Sequence, residues 1–235
     1  MTLEICANSY QSAKNAQDAG AHRVELCSEL SIGGITPSYG LIKKVINELD
    51  IKTFVLLRPR SGNFNYNTSE FEIIKKDIEI CKELGCHGIV SGVLKEDNTI
   101  DTERTLELIE LSKPMAFTFH RAFDLVPDTE KALEQLIDLG VERVLTSGQQ
   151  PRAIQGLNAL KVLQDQAQNR ITILVGSGVS SANAKTFKTA GFEEIHASAS
   201  QVIPNNNDNS SYFGNTPQTV SSVKEIKALL KAIDD

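Results

Sequence analysis

Short runs in which aliphatic and polar residues alternate recur along the chain, separated by longer stretches whose apolar residues fall at helical spacing. A period of two marks a strand and a period of 3.6 a helix. One phrase occurs four times: an amphipathic helix ends in glycine and a strand begins two or three residues later. Its copies are Asp18-Ala19-Gly20 before Arg23-Val24-Glu25-Leu26-Cys27, Glu83-Leu84-Gly85 before Ile89-Val90-Ser91, Asp138-Leu139-Gly140 before Arg143-Val144-Leu145-Thr146, and Thr189-Ala190-Gly191 before Glu194-Ile195-His196. Glycine suits the left-handed position that closes a helix, and the short connection returns the chain to the sheet. Successive copies leave room for two strand-helix units each.

Further strands lie between the copies. The pattern predicts eight strands, near 3–8, 23–27, 53–58, 89–93, 115–120, 143–147, 171–176 and 194–198. Helices are predicted near 9–19, 38–48, 69–84, 101–111, 128–138, 151–165, 180–189 and 219–232, with Ser9, Ser69 and Asp128 as N-caps. Eight such units of about 29 residues point to an α/β fold, a (β/α)8 TIM barrel filling residues 1–235 as a single domain. A doubly wound sheet is the rival, but it has no reason to stop at eight even units. Two connections exceed plain turns, Pro59 to Thr68 and about Gln201 to Thr219. Both leave the C-terminal ends of strands, so each is a candidate lid, and the second reads equally as an ordinary Asn/Ser-rich segment.

Helices cover the outside of a barrel, so polar residues alternating with aliphatic ones should point inward. Leu3, Ile5 and Ala7 separate in this way from Glu4, Cys6 and Asn8, and Val24 and Leu26 from Arg23, Glu25 and Cys27. Phe54, Leu56, Arg58 and Arg60 alternate with Val55, Leu57 and Pro59; Thr118 and His120 with Phe117 and Phe119; His196 with Ile195 and Ala197. Glu25, Cys27, Arg58, His120 and His196 therefore converge on the upper interior, and Asp124 could join them. Unpaired, such charges would cost several kcal/mol each, so they form either a structural network, Glu25 with Arg58 for example, or the wall of a functional pocket. His22 and His87 fall at the other, stability end of the barrel.

Composition narrows the partners. The chain has 24 Lys and Arg against 30 Asp and Glu, a net charge of -6, the wrong sign for a surface that tracks phosphates, which argues against nucleic acid. The longest apolar runs, such as Phe54 to Leu57, fall far short of the ~20 residues of a membrane span, and Met1 to Cys6 shows no leader pattern. The expectation is a cytoplasmic protein, with no membrane partner, whose four cysteines are reduced.

Two chemistries remain open at the barrel mouth. The first is anion binding. Gly176-Ser177-Gly178 leads into a predicted helix and Ser147-Gly148 lies beside it, in the region where barrels of this kind hold phosphate, while Arg58 and Arg60 supply fork-shaped donors. With His120 as acid or base, Glu25 orienting it or acting itself, and His196 and Asp124 nearby, this describes an enzyme for a small phosphorylated or carboxylated metabolite. The second is soft-metal binding: Cys6 and Cys27 sit on adjacent strands at equivalent inward positions, where two thiolates could take Cu(I). Two small core residues are the plainer reading of the same pair. Cys81 and Cys86, a C-x4-C spacing across a helix end, are no zinc signature without a second pair.

These residues resemble the CutC family of copper homeostasis proteins. The resemblance rests on Arg23-Val24-Glu25-Leu26-Cys27, Gly33-Gly34-Ile35-Thr36-Pro37-Ser38, Arg58-Pro59-Arg60, Ser91-Gly92-Val93-Leu94, Thr118-Phe119-His120-Arg121-Ala122-Phe123-Asp124, Val144-Leu145-Thr146-Ser147-Gly148 and Gly176-Ser177-Gly178-Val179. It implies a (β/α)8 barrel, a cytoplasmic location, a role in copper handling and a homo-oligomer. His22 and Asn63 stand where family members usually carry Asp, and an Asp-Gly preceding the last helix is missing from Ser210 to Asn215. The last two departures place any carboxylate role of the long loops in doubt.

Overall fold

The computed structural model describes residues 1–204 and 217–234. The eight strands are β1 (Thr2–Ala7), β2 (Arg23–Leu26), β3 (Lys52–Leu56), β4 (Gly88–Ser91), β5 (Ala116–Phe119), β6 (Arg143–Thr146), β7 (Thr172–Val175) and β8 (Glu194–Ala197). They pair in sequence order, all parallel, and β8 closes on β1 with Leu3 opposite Ile195. Between them run α1 (Tyr10–Ala19), α2 (Tyr39–Glu48), α3 (Thr68–Leu84), α4 (Thr102–Ser112), α5 (Thr129–Asp138), α6 (Leu157–Ala167) and α7 (Ala184–Thr189), and α8 (Val223–Asp234) follows. The fold is the TIM barrel that the alternation predicts.

The first four strands divide their residues between two cores. Leu3, Ile5, Val24, Leu26, Val55, Leu57, Phe117, Phe119 and Ile195 pack outward against the helices, whereas Cys6, Cys27, Phe54, Leu56 and Val90 form a separate cluster inside the barrel. The outer shell is apolar and continuous, aliphatic and aromatic, so removal of apolar area from water holds helices to sheet.

The helix ends follow the repeated phrase. Gly20, Gly85, Gly140 and Gly191 all have positive φ, between +77° and +91°. Ser9 and Asp128 cap as expected, but α3 is capped by Asn67, not Ser69, in a capping box with Glu70. Two helices start later than the pattern suggests, α6 at Leu157 and α7 at Ala184. Before α6 a turn folds against the neighbouring loop, Ala153 N–H bonding to the Ser177 carbonyl, and before α7 a local turn forms, Ser180 N–H bonding to the Asn183 side chain. The last predicted helix also divides: β9 (Ser200–Val202) and β10 (Thr219–Ser221) form an antiparallel pair before α8 begins. Residues 205–216 of the long connection, including the Ser210 to Asn215 departure, lie outside the described residues. No helix of the described residues is long and apolar enough to cross a membrane.

Candidate functional site

Inside the barrel the charged residues form a layered network. Glu4, fully buried on β1, accepts from Arg23 on β2, and its other oxygen meets His196 Nδ1 at 2.8 Å. Arg23 also reaches Glu194 at 2.6 Å, and Arg143 approaches Glu194 at 3.4 Å. Both guanidiniums stack on Phe54, 4.8 and 5.1 Å from its centroid. Burial alone would raise the Glu4 pKa, but Arg23 and His196 outweigh it and hold the carboxyl at about 2. A structural ion network thus exists, built on Glu4 and Arg23 instead of the anticipated Glu25 and Arg58.

Above this floor lies a softer cluster. Cys6 Sγ is 3.6 Å from Cys27 Sγ and donates to Glu25 Oε1 at 3.6 Å. A Cys6 sulfur, a Glu25 oxygen and a His196 nitrogen all lie within 4.8 Å of one another. Glu25 Oε2 is buried and has no hydrogen-bond partner among the described residues. Burial raises the Glu25 pKa to about 6, against the opposing pull of His196. Burial would discharge His196, yet Glu25 and Glu4 outweigh it and raise its pKa. The pairing with Cys27, followed by burial, pushes the Cys6 thiol up. The arrangement combines two adjacent sulfurs, one uncommitted carboxylate oxygen and an imidazole inclined to hold a proton.

On the other side of the mouth the donors are already engaged. Arg58 bonds the carbonyls of Ile32, Gly34 and Gly62 at 2.8 to 3.0 Å and lies over the Phe64 ring. Among the described residues it pairs with no carboxylate. Arg60 is clamped by Glu70 and by the Ser61, Asn63 and Asn65 carbonyls. Both arginines tie the 59–68 connection to the rim. His120 accepts the Ala122 amide at Nδ1, and its buried Nε2 has no partner. Burial and the neighbouring Arg58 charge hold its pKa at about 3. Gly92 provides its room, since a Cβ there would stand 2.7 Å from Nδ1.

The remaining candidates brace the rim. Asp124 accepts from Arg121, from the Thr146 and Ser147 hydroxyls and from the Ser147 and Gln149 amides. Its lone pairs are used by the scaffold, which leaves little for acid-base work. The single Ser147 hydroxyl proton is shared between Asp124 and the Gln150 carbonyl, and Gly148 N–H bonds Thr146 Oγ1. Gly176 N–H bonds the Thr146 carbonyl, Ser177 Oγ the Pro151 carbonyl, and Gly178 packs on Arg152. Because α7 begins only at Ala184 and has six residues, the Gly176-Ser177-Gly178 turn does not open a helix, and the expected dipole end is missing there.

The CutC family profile matches residues 1–201. The chain belongs to the CutC family. The copper homeostasis protein cutC homolog of Mus musculus is 46% identical over 198 residues, covering 84% of this chain and 73% of its own. The crystal structure of CutC from Streptococcus agalactiae superposes with a TM-score of 0.80 at 36% identity, over 84% of this chain and 98% of that one. A thiamine phosphate pyrophosphorylase from Pyrococcus furiosus, 13% identical with a TM-score of 0.61 over 99% of this chain and 95% of its own, shares the fold alone.

In this CutC chain the site residues missed by sequence reasoning are Glu4, Arg23, Arg143 and Glu194. Alternation already put Glu4 beside Cys6 and Arg23 beside Glu25 on the inward faces. Their partnership depends on β1, β2 and β8 meeting at the barrel's closure, with Glu4 level with Arg23 on one side and His196 on the other.

Proposed function

We propose that the chain serves copper homeostasis by holding monovalent copper on the sulfurs of Cys6 and Cys27, with Glu25 and His196 completing the surroundings. The observation that carries this reading is the 3.6 Å sulfur pair beside a carboxylate oxygen that has no other partner. Paired thiolates select a soft ion such as Cu(I). Copper would replace the thiol protons and leave a dithiolate of net negative charge, beside a His196 imidazole whose pKa the surrounding carboxylates raise. The reducing cytoplasm keeps both sulfurs available. Leu30 packs against the inner cluster that contains the pair. The enzyme reading has less support, since Arg58, Arg60, Ser147 and Asp124 are committed to carbonyls and to one another.

Anaerobic competition against a chromophoric Cu(I) chelator tests the reading. Wild type should show one tight site that disappears in the Cys6→Ser, Cys27→Ser double variant. Equal affinity in a folded double variant removes the proposal.

A further inference from the structure

The four glycine-ended helices close with the same pair of hydrogen bonds. In each, the residue after the glycine donates its N–H to a carbonyl five residues back: Ala21 to Ala16, Cys86 to Cys81, Val141 to Leu136 and Phe192 to Phe187, at 2.9 to 3.2 Å. This closure brings the two side chains it joins into contact, ordinarily an apolar pair. Phe187 and Phe192 show it plainly, with ring centroids 6.3 Å apart. In the second copy the same two positions are cysteines, Cys81 and Cys86, joined by the same backbone bond at 3.0 Å and both buried between sheet and helices. The backbone motif itself therefore creates a dithiol at the end of α3, on the opposite side of the sheet from Cys6 and Cys27.

We propose that Cys81 and Cys86 are a redox modification site, a dithiol that closes to an intramolecular disulfide under oxidants of the hydroperoxide class. Residues joined by such a bond lie at about the Cα separation that a disulfide spans, ~4.4–6.8 Å. Cys86 is 6% exposed and stands between exposed Gly85 and His87, whereas Cys81 is 0% exposed. The neighbouring Cys81 thiol lowers the Cys86 pKa against the effect of burial, while Cys86 and burial raise that of Cys81. Cys86 is thus the attacking sulfur and Cys81 the resolving one. The Cys86 thiolate takes the terminal oxygen of the hydroperoxide, the O–O bond breaks, and the leaving alkoxide or hydroxide is protonated. Cys81 sulfur then displaces hydroxide from the Cys86 sulfenic acid, forming the S–S bond and releasing water with the Cys81 proton. The dithiol loses two electrons and two protons, and the peroxide is reduced to water and its alcohol, or to two waters.

Surrounding charge separates this pair from the one at the barrel mouth. A copper dithiolate at the mouth lies beside His196, which is inclined to be protonated. At the helix end the charge acting on Cys81 is the Asp77 carboxylate, so a copper dithiolate would add negative to negative in apolar surroundings. A disulfide is neutral and meets no such cost.

The test uses the Cys6→Ser, Cys27→Ser variant, in which Cys81 and Cys86 are the remaining cysteines. Hydrogen peroxide is added to the reduced protein, free thiols are capped with N-ethylmaleimide, and intact mass and peptide mapping follow. The expected product has lost two hydrogens, carries no cap and yields a reductant-sensitive Cys81–Cys86 linkage, while Cys81→Ser in the same background arrests at an oxidised Cys86. Two capped thiols, sulfinic acid at either residue without linkage, or tight Cu(I) binding by this variant would overturn the proposal. If the double variant does not fold, mapping of the copper-loaded wild type reads the same linkage.

Discussion

His196 and His120 lie at the same end of one barrel and face opposite electrostatic settings. His196, on the arc of β8, β1 and β2, has Glu4 and Glu25 as neighbours and is driven toward its protonated form. His120, just beyond β5, has Arg58 and the Phe64 ring as neighbours and is held neutral, with a pKa of about 3. Burial opposes charge on both rings, so the difference comes from the neighbours' sign. One arc offers sulfur, carboxylate and an imidazole with a raised pKa, a setting suited to a soft cation on two thiolates. The other spends an arginine on loop carbonyls and keeps its histidine uncharged, the setting of a clamp.

The largest way to break this contrast is Glu4→Gln. It removes the carboxylate that serves both Arg23 and His196, and breaking a buried pair of this kind costs about 3–5 kcal/mol. Urea unfolding should show that loss, and NMR titration should show the His196 pKa falling while His120 stays where it is. A shift of both rings together would end the division into two arcs.

The pH response of His120 comes next. Its folded pKa lies below the unfolded value near 6.5, so as pH falls the unfolded chain takes up the proton first. The stability associated with this group is complete above about pH 6.5 and declines by about 1.4 kcal/mol per unit toward pH 3. His120→Asn, which keeps an acceptor for the Ala122 amide, should flatten that part of the curve relative to wild type. Parallel curves would mean that His120 is protonated in the native state.

The smallest effect separates the two arginines. Arg58→Ala orphans the Ile32, Gly34 and Gly62 carbonyls and should cost about 1–3 kcal/mol. Arg60→Ala removes a partly exposed pair with Glu70 and should cost less than about 1 kcal/mol. Equal losses in chemical denaturation would show that burial does not distinguish them.

Much of this was readable along the chain. The inward set of Glu4, Cys6, Arg23, Glu25, Cys27, His120 and His196 follows from alternation, and the barrel from eight repeats. Asp124 illustrates the opposite case. Its position beyond β5 suggested acid-base chemistry, but the fold surrounds it with Thr146, Ser147 and Gln149 donors that belong to the next unit. The Gly176-Ser177-Gly178 turn likewise carries the composition of an anion loop without the helix start that would give it a dipole.

By itself, the amino-acid order determined which side of the sheet each side chain faces and how each glycine-ended helix closes. Both depend on residues a few positions apart, governed by the strand period and by one turn's hydrogen bonds. Only the tertiary structure decided which inward charges meet, that Glu4 holds Arg23 and His196 while Arg58 goes to carbonyls, and hence which histidine has its pKa raised and which lowered. Those pairings join strands up to 192 residues apart, and barrel closure sets their relative height.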